Sequence, residues 1–253
     1  MTRPTRVGLR GLVAALSFLT RLPVPSGRDP AGDAGAGELG RSVVWFPVVG
    51  AVLGAISFGA ARAAGPHVSA ATLAVTLVAL HAALTGGLHL DGLADTFDAW
   101  GGGRGDRARM LEIMRDSRIG AHGAAALALL LIAKVVAVHD LLARGTLWPL
   151  VAGPIAARWA VVPLIVLFPY ARPNGLGTAF HAERRLFHVL IASALAAPAV
   201  LVWGAPALRA CGAALAVQVG IALALAPRLG GLTGDVYGAA IEIGELAFWV
   251  TAL

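Results

Sequence analysis

The segment 86–123, GGLHLDGLADTFDAWGGGRGDRARMLEIMRDSRIGAHG, decides how this chain is organised. It holds six of the fourteen acidic residues and five of the twenty Lys+Arg residues of an otherwise almost uncharged chain. Its first three acids, Asp91, Asp95 and Asp98, are spaced by four and then three residues, so a helix places them within an arc of roughly 60°. Three carboxylates on one stripe repel one another, and a divalent cation would hold them together. We therefore predict a metal site here rather than a solvated helix end.

The rest of this segment carries groups that suit a phosphate ligand. Gly92 and the glycine run 101–103 are expected to let a bulky ligand approach the backbone. Arginines, a hydroxyl and glycines follow at the entry to an apolar run, where Arg forks and a helix N-terminus both favour phosphate. The candidate phosphate ligands are Arg115, Ser117 and Arg118.

The composition indicates an integral membrane protein. Of the 253 residues, 58% are hydrophobic and 13% are charged, whereas a soluble domain has about 25% charged residues. We predict one all-α domain over 1–253, a polytopic bundle of six to seven transmembrane helices. An interfacial helix at 7–20 and a flexible linker at 27–40 should precede it, within the segment 1–41. The predicted spans are 42–61, 63–90, 119–139, 147–168, 186–203, 208–226 and, short and interrupted by acids, 236–253.

The arginines predict the orientation of the bundle. With six spans, fifteen arginines fall on one side and three on the other, so the positive-inside rule makes the richer side cytoplasmic. The chain should therefore be a multi-pass protein of the cytoplasmic membrane whose polar loops face the cytoplasm. Because the net charge of +6 comes from these loops, it gives little support to nucleic-acid binding.

Two further segments are expected to join the site. In YARPNGLG (170–177), Arg172 and the backbone at Gly177 can meet phosphate oxygens, although a plain turn explains the motif equally well. The segment 228–253 opens with RLGGLTGD, and its acids Asp235 and Glu242 share one helix face, which predicts further metal ligands. Arg158, inside a span, should pair internally or with phosphate.

At these motifs the chain resembles the adenosylcobinamide-GDP ribazoletransferase (cobalamin synthase) family. The phrases that carry the resemblance follow the family's order from end to end: FLTRLPVP (18–25), GGLHLDGLADTFDAWGGG (86–103), RMLEIMRDSRIGAHG (109–123) and GGLTGDVYGAAIEIGE (230–245). The resemblance implies a multi-spanning, Mg²⁺-dependent enzyme at the last stage of cobalamin biosynthesis. It implies that adenosylcobinamide-GDP is joined to α-ribazole or its 5′-phosphate with release of GMP.

Phosphoryl transfer unites the resemblance with the residue pattern. Mg²⁺ held by Asp91 and Asp95 would neutralise the diphosphate, and Asp98 would take the proton from the ribazole hydroxyl. Arg115 and Arg118 would hold phosphate oxygens.

Two other functions remain open at this point. A CDP-alcohol phosphotransferase making a phospholipid shares the Asp-Gly start, but its Ala-Arg pair is replaced here by Asp95-Thr96. A transporter would use the intramembrane acids and Arg158 as its pathway. The sequence leaves a homo-oligomer open.

Overall fold

The computed structural model describes residues 8–24, 33–173 and 176–253 of the chain. These residues form an all-α bundle, as predicted, and in these ranges the only β pairing is one isolated bridge between Tyr170 and Leu232. A 3₁₀ turn, Val43–Trp45, joins the second helix to the third. The helices α1 to α11, in chain order, are Leu9–Leu19, Asp33–Ser42, Phe46–Ala64, Ala70–Thr85, Leu88–Gly102, Arg107–Ile113, Ala121–Ala143, Pro149–Leu167, Leu176–Ala182, Leu186–Leu229 and Gly234–Thr251.

The membrane character of the bundle is confirmed. Within the described residues, 4 helical stretches are long and apolar enough to cross a bilayer, and the bent pair α4–α5 would make up to 5. Large apolar side chains project from the outer helices, for example Leu129 at 69%, Leu190 at 71% and Leu201 at 82% exposure. Such surfaces suit lipid better than water. The four stretches are 37–64, 121–143, 149–167 and 186–229.

One helix, α10, contains two of the predicted spans. Its 44 residues would extend about 66 Å if straight, roughly twice the apolar thickness of a bilayer. The backbone of Gly204, with φ 64° and ψ −143°, breaks it instead. Trp159 of α8 bonds to Ser193 in the first half, while the carbonyl of Ala157 accepts from Gln218 in the second. Both halves therefore lie along α8 at nearly the same depth, as two antiparallel spans.

The predicted span 63–90 is not one straight helix. α4 and α5 meet at an angle of 90°. Gly86 and Gly87 between them have φ values of 62° and 71°, in the left-handed region that glycine adopts without strain. The segment of aspartates is therefore a separate helix, α5, and not the continuation of a span.

The central helix of the bundle is α8, with most of its residues buried. Gly50 and Gly54 of α3 lie against its backbone, where a side-chain carbon would collide with Pro154 and Val151. Small residues of this kind let helices approach closely in lipid. The last helix, α11, packs on the inside of the bundle. Because it contains three acids, it is not among the four stretches that are apolar enough to cross a bilayer. The seventh predicted span is therefore an interior helix.

Near the N-terminus, the structure confirms a short apolar helix and corrects the extent of the linker, while the interfacial position of the helix stays a prediction. α1 is the short apolar helix expected at 7–20, apart from Val7, which lies outside the described residues. The expected linker 27–40 is partly helical, since α2 begins at Asp33; residues 25–32 lie outside the described residues. Tertiary contacts explain the difference. Arg41 pairs with Glu183 at 3.8 Å, and Gly40 lies against the carbonyl of Ala179, so α2 is held on α9.

The polar connections gather at one end of the bundle. Arg107, at the start of α6, donates to the carbonyls of Leu229 and Ala171 at 2.7 and 3.3 Å. The bridge between Tyr170 and Leu232 ties the remaining two connections together. The loops after α5, α8 and α10 therefore share one face, as the arginine pattern predicts. The loop after α8 includes Asn174, which is outside the described residues.

Candidate active site

The site is built where α5 crosses α11. A side-chain carbon on Gly92 would lie 2.8 Å from the backbone oxygen of Asp235, and one on Gly238 would lie 3.2 Å from the backbone of His89. The two helices therefore touch through their backbones. Gly92 was expected to make room for a ligand, but α11 fills that room. The crossing brings Asp235, which is remote in sequence, to the stripe of aspartates.

Carboxylates outnumber cations at this crossing. Asp95 interacts electrostatically with Asp235, Asp91 and Asp98, and with one cation, Arg172. Arg172 Nη2 lies 2.7 Å from Asp235 Oδ2. Asp91 is exposed and Asp95 is half-buried, so the open side of the cluster faces the solvent. An arrangement of this kind attracts a cation.

Asp98 has a different environment from its two neighbours on the stripe. It is only 8% exposed, and its two carboxylate oxygens accept hydrogen bonds from the backbone N–H groups of Gly120 and Gly123, at 2.7 and 2.8 Å. These amides open α7 and have no partner within that helix. Asp98 therefore caps α7 from a different helix, and the glycines leave the space that its carboxylate fills.

The candidate phosphate ligands in 115–118 lie on the surface. Arg118 pairs with Asp116 at 2.7 Å, and this hydrogen bond lowers the pKa of Asp116 to about 2. Ser117 and Arg115 are exposed. Arg115 also lines an open groove of about 660 Å³ between α6 and the segment 171–173. Arg172 joins this region to the crossing, because it donates to the carbonyl of Met114 at 3.3 Å as well as to Asp235.

The glycines at 101–103, expected to leave room for a ligand, and Gly177, expected to meet phosphate, all lie against protein side chains. Gly177 packs on the ring of Tyr170, where a side-chain carbon would collide with the ring and its hydroxyl. In the run 101–103, the space beside each glycine is taken by a side chain of α6 or α7: His122, Ile113 and Met110. At Gly101, Gly103 and Gly177 the neighbouring side chains come too close for a side-chain carbon, so these glycines serve packing.

An aromatic cluster beside the crossing was missed from the sequence. His181 lies between Tyr170 and Tyr237, with ring centroids 5.1 and 6.3 Å away, and its Nε2 is 2.9 Å from the Tyr237 hydroxyl. Burial, and then the charge of Arg184, lower the pKa of His181 to about 4, so it is neutral at pH 7. The available signal was composition: the chain has only two tyrosines, and both are here.

The structure separates Glu242 from Asp235. The two residues share a helix face, as predicted, but two turns, about 10 Å, lie between them. Glu242 is buried and bonded to Lys134, while its neighbour Glu245 pairs with Lys134 at 2.7 Å and with Arg158 at 3.3 Å. Arg158 therefore pairs internally. Across 8–24, 33–173 and 176–253, no group of three or more His, Cys, Asp or Glu residues has the arrangement of a metal site.

Comparison with known proteins identifies the family. Residues 11–253 match the model of the cobalamin-5-phosphate synthase (CobS) family. The chain belongs to this family. Its relatives named adenosylcobinamide-GDP ribazoletransferase include proteins of Klebsiella pneumoniae (strain 342), 42% identical over 97% of this chain and 100% of the relative, and of Ectopseudomonas mendocina (strain ymp), 43% identical over 92% and 94%. A Pseudomonas aeruginosa (strain PAO1) relative is 39% identical over 97% of this chain and 98% of its own length. No solved structure matches the chain.

Proposed function

We propose that this chain is a membrane-embedded transferase that joins adenosylcobinamide-GDP to α-ribazole or its 5′-phosphate, releasing GMP. The observation that carries the proposal is the match of residues 11–253 to the CobS family. Full-length relatives named adenosylcobinamide-GDP ribazoletransferase support it. The family gives no support to the phospholipid synthase or to the transporter.

The proposed metal ligands are the carboxylates on the open side of the crossing, Asp91, Asp95 and Asp235. When bound there, Mg²⁺ would neutralise the diphosphate and the departing GMP. The residues fit this role because Asp95 has three acidic neighbours and one cationic one. Mg²⁺ usually takes one or two protein carboxylates and completes its shell with phosphate oxygens and water, so a complete protein cage is not needed.

The contacts of Asp98 suit a structural role at the start of α7 as an alternative to catalysis. Each of its oxygens already accepts an amide hydrogen bond, and it faces α7 rather than the open side. Phosphoryl transfer through a loose transition state depends more on positioning and charge than on a general base. We therefore propose that Asp98 fixes the start of α7, and that base catalysis by Asp98 is the alternative to be tested.

The proposed phosphate-binding groups lie around the 660 Å³ groove, which has the size of a small-ligand site. Arg115 lines it, and Arg118 lies near it in sequence on the same connection. Arg172 is held between the Met114 carbonyl and Asp235, where its guanidinium can orient that carboxylate and meet a phosphate oxygen.

The activity test is nucleotide release by purified protein with Mg²⁺ and adenosylcobinamide-GDP. We expect GMP to appear only when α-ribazole or its phosphate is present. Release without the ribazole would indicate a hydrolase, and consumption of lipid alcohols would indicate the phospholipid synthase. When a carboxylate of the site is replaced in this assay, Asp140→Asn, at the far end of α7, is the control for losing a carboxylate elsewhere in the protein.

We further propose, on the basis of the arginine distribution, that the protein lies in the inner membrane and that its site opens to the cytoplasm. Ala108 and Ala143 are exposed, on the loop side and at the far end of α7 respectively. In a Cys211→Ala background, an impermeant maleimide added to intact cells should label Ala143→Cys and spare Ala108→Cys. The reverse labelling would invert the proposed topology.

A further inference from the structure

A second group of charged residues lies inside the bundle, away from the open site. It contains two acids, two cations and two histidines, and each residue is at most 6% exposed. Five helices supply them: α4, α5, α7, α8 and α11. We call this group the interior cluster; its members are His81, His89, Lys134, Arg158, Glu242 and Glu245.

Lys134 bridges the two acids of the interior cluster. Its ammonium group donates to both Glu242 and Glu245. Arg158 lies 3.3 Å from Glu245 and 3.2 Å from His81. Two carboxylates face one lysine and one arginine, so the cluster is formally neutral when these groups carry their usual charges. Lys134 is also the only lysine among the twenty Lys+Arg residues of the chain.

Stability alone does not account for such a cluster. Burying ions costs several kcal/mol each before their attraction repays it, and apolar replacements of similar volume are often as stable or more stable. Buried charged groups are better established as devices that fix the register of packed helices. The helix whose register matters for the site is α11, because it carries Asp235.

The interior cluster is connected to the open site through both crossing helices. Glu242 and Glu245 follow Asp235 on α11, so holding them also fixes the rotation and height of Asp235. A shift of α11 by one residue would move Asp235 by about 1.5 Å and turn it by about 100°. On α5, His89 Nδ1 lies 3.8 Å from Glu242 Oε1, and His89 precedes Asp91 and Gly92 by two and three residues, within one turn.

We propose that Lys134 is a positioning residue: by bridging Glu242 and Glu245 it sets the register of α11 that brings Asp235 to Asp91 and Asp95. This proposal rests on the proposed function for its effect on activity, but not for its effect on the helix. It assigns Lys134 no contact with substrate.

The first test measures the position of α11 without any reaction. Nitroxide labels at Gly234→Cys and Ala143→Cys, in a Cys211→Ala background, report the distance from the start of α11 to the end of α7; both positions are exposed. We expect Lys134→Met to shift this distance by about 1.5 Å or more, or to broaden its distribution. The control is Ile132→Met on the same helix; Ile132 is 62% exposed, and its replacement should leave the distance unchanged. An unchanged distance in Lys134→Met would overturn the proposal.

The second test measures the consequence for the site. Lys134→Met should raise the Mg²⁺ concentration for half-maximal GMP release by roughly 10- to 100-fold, as loss of a supporting residue does at other metal sites. A distance change without any change in this Mg²⁺ response would overturn the link to Asp235. Absence of GMP release in the wild type would instead refute the proposed function and leave the distance test valid.

A double variant separates positioning from charge balance. Lys134→Met/Glu242→Gln removes one charge of each sign, so it should restore the yield of inserted protein if the single variant inserts poorly. Because the bridge between the two acids is still missing, we expect the shifted distance and the weaker Mg²⁺ response to remain. Full recovery of both would show that only neutrality matters and would refute the positioning role.

Discussion

The open site and the interior cluster use the same two helices in opposite ways. Asp95 is influenced by three other carboxylates and by Arg172, which is paired with Asp235, and the open side is exposed. Two to three turns further along α11, two carboxylates are balanced by Lys134 and Arg158 and are buried. An excess of one charge sign calls for a partner from outside the protein, whereas a balanced cluster needs none. Acids on one helix face can therefore differ in role because the third dimension gives them different neighbours.

The largest expected effect is the loss of one partner in the interior cluster. Glu245→Gln removes the carboxylate that pairs with both Arg158 and Lys134, and this should lower the free energy of unfolding by roughly 3–5 kcal/mol. Reversible unfolding in mixed detergent micelles measures it. The matched control is Glu112→Gln, whose side chain is 70% exposed and should have little effect. Equal stabilities for the two variants would contradict the difference between the regions.

A smaller effect is expected at the open site, and in a different observable. Asp91→Asn and Asp95→Asn should raise the Mg²⁺ requirement by about 100-fold while leaving the apo protein as stable as before, or slightly more, since repulsion is relieved. Metal titrations of GMP release, with unfolding measured alongside, check both parts. A wild-type metal response in both variants would exclude these residues as ligands.

Asp98→Asn decides between a cap and a base. An amide offers one oxygen where two backbone N–H groups need acceptors, so the cap role predicts a loss of about 1–3 kcal/mol in stability and nearly normal turnover per folded molecule. The base role predicts turnover lower by roughly 10²- to 10⁴-fold, with intact stability. Rates normalised to folded protein, measured with substrate binding, distinguish the two.

The smallest structural effect should come from the exposed pair of Asp116 and Arg118. Their hydrogen bond lowers the pKa of Asp116 to about 2, so any stabilisation is complete above about pH 4, the usual value for Asp, and is lost as the pH falls towards 2. Arg118→Gln should therefore unfold like the wild type at pH 7, and if Arg118 binds phosphate it should raise the KM for adenosylcobinamide-GDP. An unchanged KM would remove Arg118 from the site.

Sequence reasoning located the main parts of this protein where local pattern is sufficient. The apolar runs predicted the membrane bundle, and the spacing of Asp91, Asp95 and Asp98 predicted one helix, which is α5. The arginine pattern predicted which connections share a face. Sequence reasoning did not predict contacts with neighbours that are remote in sequence. The glycines at 101–103 and 177 pack against side chains, and Tyr170, His181 and Tyr237 meet only after folding.

By itself, the sequence determined the class of fold, the family and the acids from which the site is built, because hydropathy, helix period and motif order are local properties. Only the tertiary structure decided which of those acids belong to the open site, which to the interior cluster and which to a helix cap. Asp235 joins Asp95 because Gly92 lets the backbones of α5 and α11 touch, while Glu242, on the same face, meets Lys134 inside the bundle. Asp98 caps α7 because that helix begins beside it. The physical reason is that the role of a carboxylate depends on the charges, donors and solvent around it, and these neighbours come from distant parts of the chain.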